Sequence, residues 1–181
     1  MSELERSSLE QRLRASIRDI PDFPKPGILF KDITPALLDP ALFRETVGAL
    51  ADWTREKAAA KVIGVDARGF LFAGAVADRL GIGLVPVRKP GKLPFETVSE
   101  SYDLEYGVNT LELHTDAIGR GERIVVVDDL LATGGTVEAA VRLVEALGGS
   151  IVGLAFVVEL GFLNGRARLD GYDTMSLVAF D

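Results

Sequence analysis

The sequence predicts an α/β fold: an open, mainly parallel, twisted sheet flanked by helices. Three observations predict it. Short runs rich in Val and Ile recur along the chain, segments with helical apolar spacing separate them, and glycines fall where those segments must stop. Continuous apolar runs alternating with helices belong to parallel strands covered on both faces.

The elements follow in order. Leu4, Leu9, Leu13 and Ile17 recur at roughly helical spacing among charges, which predicts an N-terminal amphipathic helix. Pro21, Pro24, Pro26 and Gly27 end it in an irregular stretch. Asp39-Pro40 then supplies a cap and a first helical residue for a second helix reaching about Lys57. Residues 61–65 and 82–87 read as strands around a helix over 70–80 that Gly81 stops. Residues 124–127 read as the next strand, 136–147 as a helix closed by Gly148-Gly149, and 151–158 and 175–180 as the last two strands. Residues 90–116 break this rhythm and read as an antiparallel hairpin carrying Leu111 and Leu113. His114 reads as a structural residue on one of its strands.

The chain has 181 residues, 48% hydrophobic and 26% charged, which predicts one domain over 1–181 with a full core. Its net charge of −7 disfavours nucleic-acid binding. The absence of cysteine excludes disulfides and thiolate chemistry, and a single histidine, His114, leaves no material for a Ser-His-Asp triad. The charged N-terminus has no apolar core of a secretory signal, and no apolar run is long enough to span a membrane, so the cytoplasm is the expected location.

Chemistry concentrates in one segment. Asp128 and Asp129 follow the run 124–127, and Ala132, Thr133, Gly134, Gly135 and Thr136 lead into the next helix. Ligands of open α/β sheets bind at the carboxyl ends of strands. Here the glycines let the backbone curl its N–H groups inward, and the helix N-terminus adds partial positive charge. The threonine hydroxyls add donors, and together these make a cradle for one phosphate. The adjacent carboxylates suit diol hydroxyls or a metal, and phosphate plus diol describes ribose 5-phosphate. A P-loop would need a lysine before Thr136, and a dinucleotide fingerprint would need three spaced glycines. The plain alternative is a strand-to-helix turn with Asp129 as a cap. Separately, Arg88, Lys89 and Lys92 form a basic cluster at another strand end, either a solvated face or a seat for an anionic leaving group.

The run 126–136 resembles the signature of type I phosphoribosyltransferases. Five further blocks resemble the adenine phosphoribosyltransferase family: Pro21-Asp22-Phe23-Pro24-Lys25-Pro26-Gly27, Phe30-Lys31-Asp32-Ile33-Thr34-Pro35, Asp66-Ala67-Arg68-Gly69-Phe70, Arg88-Lys89-Pro90-Gly91-Lys92-Leu93-Pro94 and Ser101-Tyr102-Asp103-Leu104-Glu105-Tyr106-Gly107. The resemblance implies that adenine and 5-phosphoribosyl 1-pyrophosphate give AMP and pyrophosphate. It implies that residues 132–136 hold the 5′-phosphate, that Asp128 and Asp129 take the ribose hydroxyls, and that Ala67 and Arg68 bind pyrophosphate with Arg88, Lys89 and Lys92.

It also implies a non-proline cis peptide before the second residue of Ala67-Arg68-Gly69. Residues 1–35 would form a helix and a hood, with Leu29 and Phe30 covering one face of adenine and Leu160 the other. Residues 92–107, within the 90–116 hairpin, would form a lid in which Glu105 handles the purine proton and Tyr106 helps close the site. Taken alone, Glu105 and Tyr106 read as ordinary hairpin residues. Mg²⁺ is implied on the substrate's own oxygens rather than in a protein cage, and a homodimer is implied as the assembly. Ala67 stands where some relatives have serine, and Lys31 where some have arginine. Another nucleobase, or a non-catalytic protein that senses 5-phosphoribosyl 1-pyrophosphate, stays open as an alternative.

Overall fold

The computed structural model describes residues 3–104 and 107–181. They fall into two compact units, one up to Ala49 and one from Leu50 to Asp181.

In the first unit, α1 (Glu3–Ser16) has acidic residues in its first turn and Arg14 in its last, which complements the helix dipole. Leu9 and Leu13 are buried, as is Ile17 just beyond the helix, but Leu4 is exposed. Five residues carry Leu4 about 140° around the helix from Leu9, so it leaves the buried stripe. The stretch expected to be irregular is so over residues 22–28, and two short antiparallel strands that were not expected flank it, β1 (Arg18–Pro21) and β2 (Leu29–Asp32). Cross-strand pairing sets Arg18 against Asp32 and Asp19 against Lys31, with ion pairs of 2.6 and 2.5 Å. Lys31 is therefore part of the hairpin's own architecture. A short helix, α2 (Thr34–Leu38), precedes α3 (Pro40–Glu56), of which the residues from Leu50 on are counted in the second unit. Asp39 caps α3 by accepting from the N–H groups of Ala41 and Leu42 at 2.9 and 3.0 Å.

The second unit is built on a five-stranded parallel sheet. Its strands are β3 (Lys61–Val65), β4 (Gly83–Val87), β7 (Arg123–Leu131), β8 (Ser150–Leu160) and β9 (Thr174–Phe180), in the order β4-β3-β7-β8-β9. The helices α4 (Gly69–Leu80) and α5 (Gly135–Ala146) follow β3 and β7. The remaining strands, β5 (Thr97–Leu104) and β6 (Gly107–His114), form the antiparallel hairpin. Leu111 and Leu113 of β6 are buried, and Val98 and Tyr102 of β5 lie against the same core. At the end of β6, the His114 Nε2 accepts from the Phe95 N–H at 3.3 Å.

Counting the sheet's strands by their order in the chain, the arrangement is 2-1-3-4-5. The direction of winding reverses between β3 and β7, and such a switch point opens a crevice at the strands' carboxyl ends. One difference from expectation matters there. β7 runs on through Asp128 to Leu131, four residues past its predicted end. β3 accompanies it only as far as Val127, whereas β8 pairs with it to Leu131. The acidic pair thus sits on a strand held from one side and open on the other.

Candidate active site

The carboxyl end of β7 places Asp128 and Asp129 almost wholly inside, at 7% and 5% exposure. The Asp129 N–H donates to the Asp128 Oδ1 at 2.9 Å, which fixes one carboxylate against the backbone of the next residue. Gly69, the first residue of α4, abuts the Asp128 carboxylate so closely that a Cβ there would collide with Oδ1. Arg68, just before α4, reaches from the β3 side to the Asp129 Oδ2 at 2.8 Å. That approach makes an ion pair, but its angles miss hydrogen-bond geometry, so this buried oxygen has no hydrogen bond. Burial pushes both acids upward in pKa. The rise is larger for Asp128, where the Asp129 charge adds to burial, and smaller for Asp129, where Arg68 opposes it.

The loop after β7 carries the anion-binding geometry. Gly134 adopts φ +84°, in the left-handed region that glycine enters without penalty, and it stands at the N-cap of α5 with no side-chain cap. The first-turn N–H groups of α5 therefore have no side chain to satisfy them and are offered to a ligand. A cavity of about 210 Å³ lies over this loop, lined among others by Arg68, Asp128, Asp129, Thr133, Gly134 and Thr136. The Thr136 hydroxyl donates to the Tyr102 phenol oxygen of β5 at 3.1 Å.

The other candidate residues fall around this centre. The cis peptide after β3 is Asp66–Ala67, one bond earlier than the resemblance implied. Arg88, at the end of β4, donates to Asp66 at 2.9 Å and to the Lys92 carbonyl at 3.2 Å, and its guanidinium stands 5.9 Å from the Phe70 ring centre. It ties the end of β4 to the loop after β3. Lys89 and Lys92 are exposed, and neither they nor Arg88 line the cavity. Leu29 and Phe30 lie on β2 of the first unit, where Phe30 meets Phe23 edge-on at 5.1 Å. Leu160 is the last residue of β8 and is buried. Glu105 and Tyr106 lie outside the described residues.

Sequence reasoning missed three contributors. Gly69 carries no local sign of its contact with Asp128. Tyr102 stands inside a quoted block, but its partner is 34 positions away. Gly165, after β8, packs its backbone on the loop at 132–134.

A buried acidic pair beside an open helix N-terminus, at the switch point of a parallel sheet, has the chemistry that a phosphorylated sugar would need. The chain matches the phosphoribosyl transferase domain over residues 36–176, so the class is phosphoribosyltransferase. It is 57% identical over 169 residues to adenine phosphoribosyltransferase of Solibacter usitatus, covering 93% of this chain and 98% of that one. The crystal structure of adenine phosphoribosyltransferase from Thermoanaerobacter pseudethanolicus superposes with a TM-score of 0.91 at 53% identity, covering 94% and 99% of the two chains. That of the Saccharomyces cerevisiae enzyme, complexed with an imino-altritol bisphosphate and adenine, gives 0.89 at 39% identity, covering 94% and 99%. The chain belongs to the adenine phosphoribosyltransferase family.

Proposed function

We propose that the protein transfers the 5-phosphoribosyl group of 5-phosphoribosyl 1-pyrophosphate to adenine, forming AMP and pyrophosphate in purine salvage. The observation that carries this reading is the convergence of Asp128, Asp129 and Arg68 with the left-handed Gly134 loop in one cavity. A bound nucleotide of this class presents a phosphate and a diol a few ångströms apart, and the cavity offers N–H donors and carboxylates with that division of labour.

In the proposed reaction the C1′–O bond to pyrophosphate breaks and a C1′–N9 bond to adenine forms, through a sugar with oxocarbenium-like charge. Residues 132–136 hold the 5′-phosphate. Asp128 and Asp129 accept from the ribose hydroxyls, and their negative charge tolerates positive charge on the ring. Arg68 and the Ala67 backbone receive the departing pyrophosphate, and Arg88, Lys89 and Lys92 supply further positive charge to it. Leu29, Phe30 and Leu160 keep their assignment to the base from the family resemblance alone. Glu105 takes the proton released from the purine nitrogen, and Tyr106 helps exclude water as the lid closes.

Mg²⁺ belongs to the proposal as a substrate-borne ion. Among the described residues no group of three or more His, Cys, Asp or Glu is placed to hold a metal. Asp128 and Asp129 are hard oxygen donors suited to an ion that keeps its own waters and substrate oxygens. Carried on the substrate's own oxygens, Mg²⁺ would neutralise the leaving group's charge. We also place the protein in the cytoplasm as a homodimer with no nucleic-acid or membrane partner. Among the described residues no helix is long and apolar enough to cross a membrane, and the chain's net charge is −7.

The test is a spectrophotometric panel of adenine, hypoxanthine, guanine, xanthine and orotate with 5-phosphoribosyl 1-pyrophosphate and Mg²⁺. Adenine alone should yield nucleotide at a useful rate. Turnover of another base with no AMP from adenine overturns the assignment, and no turnover of any base favours a sensor of the same fold.

A further inference from the structure

The cradle at 132–136 is made mostly of backbone, so its shape depends on what abuts it. What abuts it is Gly165, about thirty positions away in the chain. A Cβ at Gly134 would stand 2.6 Å from the Gly165 carbonyl oxygen, and a Cβ at Gly165 would overlap the Ala132 carbonyl and stand 3.0 Å from the Gly134 nitrogen. The two backbones are in contact with no side chain between them. Any drift of Gly165 therefore moves or releases the loop that faces the phosphate.

Gly165 sits in a segment that cannot hold this position by itself. It begins a five-residue 3₁₀-helix, Gly165–Leu169, after a left-handed Asn164 at φ +52°. The next residue supplies the anchor. Arg166 grips Glu159 with both arms of its fork, Nε to Oε1 at 2.9 Å and Nη2 to Oε2 at 2.5 Å, and Nη1 donates to the Thr174 carbonyl at 2.9 Å. Ser176 donates to the same Oε2 at 2.6 Å. Glu159 is 9% exposed, whereas the Arg166 side chain is 47% exposed, so water screens the charge in part and the bidentate geometry is what fixes the segment. It also pairs with Leu131 across the sheet, one residue before the cradle begins. On the far side, Arg168 reaches Glu138 of α5 at 3.2 Å. The segment that presses on the cradle is thus fastened to β8, the sheet neighbour of the strand that enters the cradle, and to the helix that leaves it.

We infer that Arg166, through its bidentate pair with Glu159, is a positioning residue that sets the shape of the phosphate cradle by holding Gly165 against Gly134. This rests on the reading that residues 132–136 bind the 5′-phosphate. A bidentate planar fork is required, which lysine does not supply.

The test is steady-state kinetics of Arg166→Gln, Arg166→Lys and Glu159→Gln in the full chain, with both KM values, kcat and a thermal melt. Gly134→Ala serves as the reference that perturbs the cradle directly. Arg166→Gln should raise KM for 5-phosphoribosyl 1-pyrophosphate about tenfold or more with KM for adenine within about twofold. Arg166→Lys should recover only part of that loss. Glu159→Gln, which keeps an acceptor in place, should be milder and carries the test if Arg166→Gln does not fold. Equal rises in both KM values, or full rescue by lysine, overturn the positioning role. If Gly134→Ala raises KM for the phosphoribosyl substrate while the Arg166 and Glu159 variants leave it unchanged, the clamp fails and the cradle stands. If Gly134→Ala leaves it unchanged, the cradle reading itself fails.

Discussion

The hydroxyl of Thr136 donates to the phenol oxygen of Tyr102 at 3.1 Å, joining the first turn of α5 to strand β5 of the hairpin. Arg142 of α5 reinforces this junction by donating to Glu100 of β5 at 3.0 Å. The base of the proposed lid is thus fastened to the helix whose N-terminus is the proposed phosphate seat.

Thr136→Val removes the hydroxyl, whose one proton goes to Tyr102 here and would turn to a bound phosphate, whereas Tyr102→Phe removes only the hairpin's acceptor. Thr136→Val should raise KM for 5-phosphoribosyl 1-pyrophosphate about tenfold, in line with a hydrogen bond to a charged group. Tyr102→Phe should change that KM by less than about threefold and cost about 1 kcal/mol of stability in urea unfolding. Faster amide exchange over β5 in Tyr102→Phe would mark the loosened hairpin.

Asp128→Asn should stabilise the unliganded protein while impairing catalysis. Burial raises the folded pKa of Asp128, so the stability it contributes is fully present below its unfolded value and is lost as pH rises through the folded one. The asparagine variant has no such loss. Urea unfolding at pH 4, 6 and 8 should show its advantage over the native chain growing with pH, while kcat/KM falls at least tenfold, about 1.4 kcal/mol of transition-state stabilisation.

Arg68→Gln should move the acid limb of the pH–rate profile upward. The guanidinium lowers the cost of ionising the buried Asp129, whose carboxyl is already raised by burial. Without that charge the carboxylate forms only at higher pH. If catalysis needs both carboxylates ionised on the ribose, kcat/KM measured from pH 5 to 9 will show the shift.

Asp32 is the opposite case, and its effect belongs to stability. Hydrogen bonds from Thr34, with help from Arg18, lower its pKa to about 2. The stability it contributes is present above its unfolded value and is lost as pH falls through about 2. Asp32→Asn should therefore lower the urea midpoint at pH 7, and the gap from the native chain should narrow towards pH 3.

The sheet was legible because buried parallel strands are continuous apolar runs, as in Ile124-Val125-Val126-Val127, which is fully buried. The end of β7 was not legible, because two adjacent aspartates look like a loop until β8 is seen pairing with them as far as Leu131. The cradle was legible from its glycines and hydroxyls, which act locally. Gly165 and the Arg166–Glu159 pair were not, because their contribution is contact through space between segments that share no pattern. The same holds for Arg88, where composition predicts a charge for a ligand and the geometry adds a bond to Asp66.

A crystal structure with AMP bound tests the central claim most directly. The account predicts the 5′-phosphate within hydrogen-bond distance of the N–H groups of residues 133–136, and the ribose hydroxyls on the carboxylates of Asp128 and Asp129. A phosphate bound elsewhere, with the ribose away from the acidic pair, would contradict it.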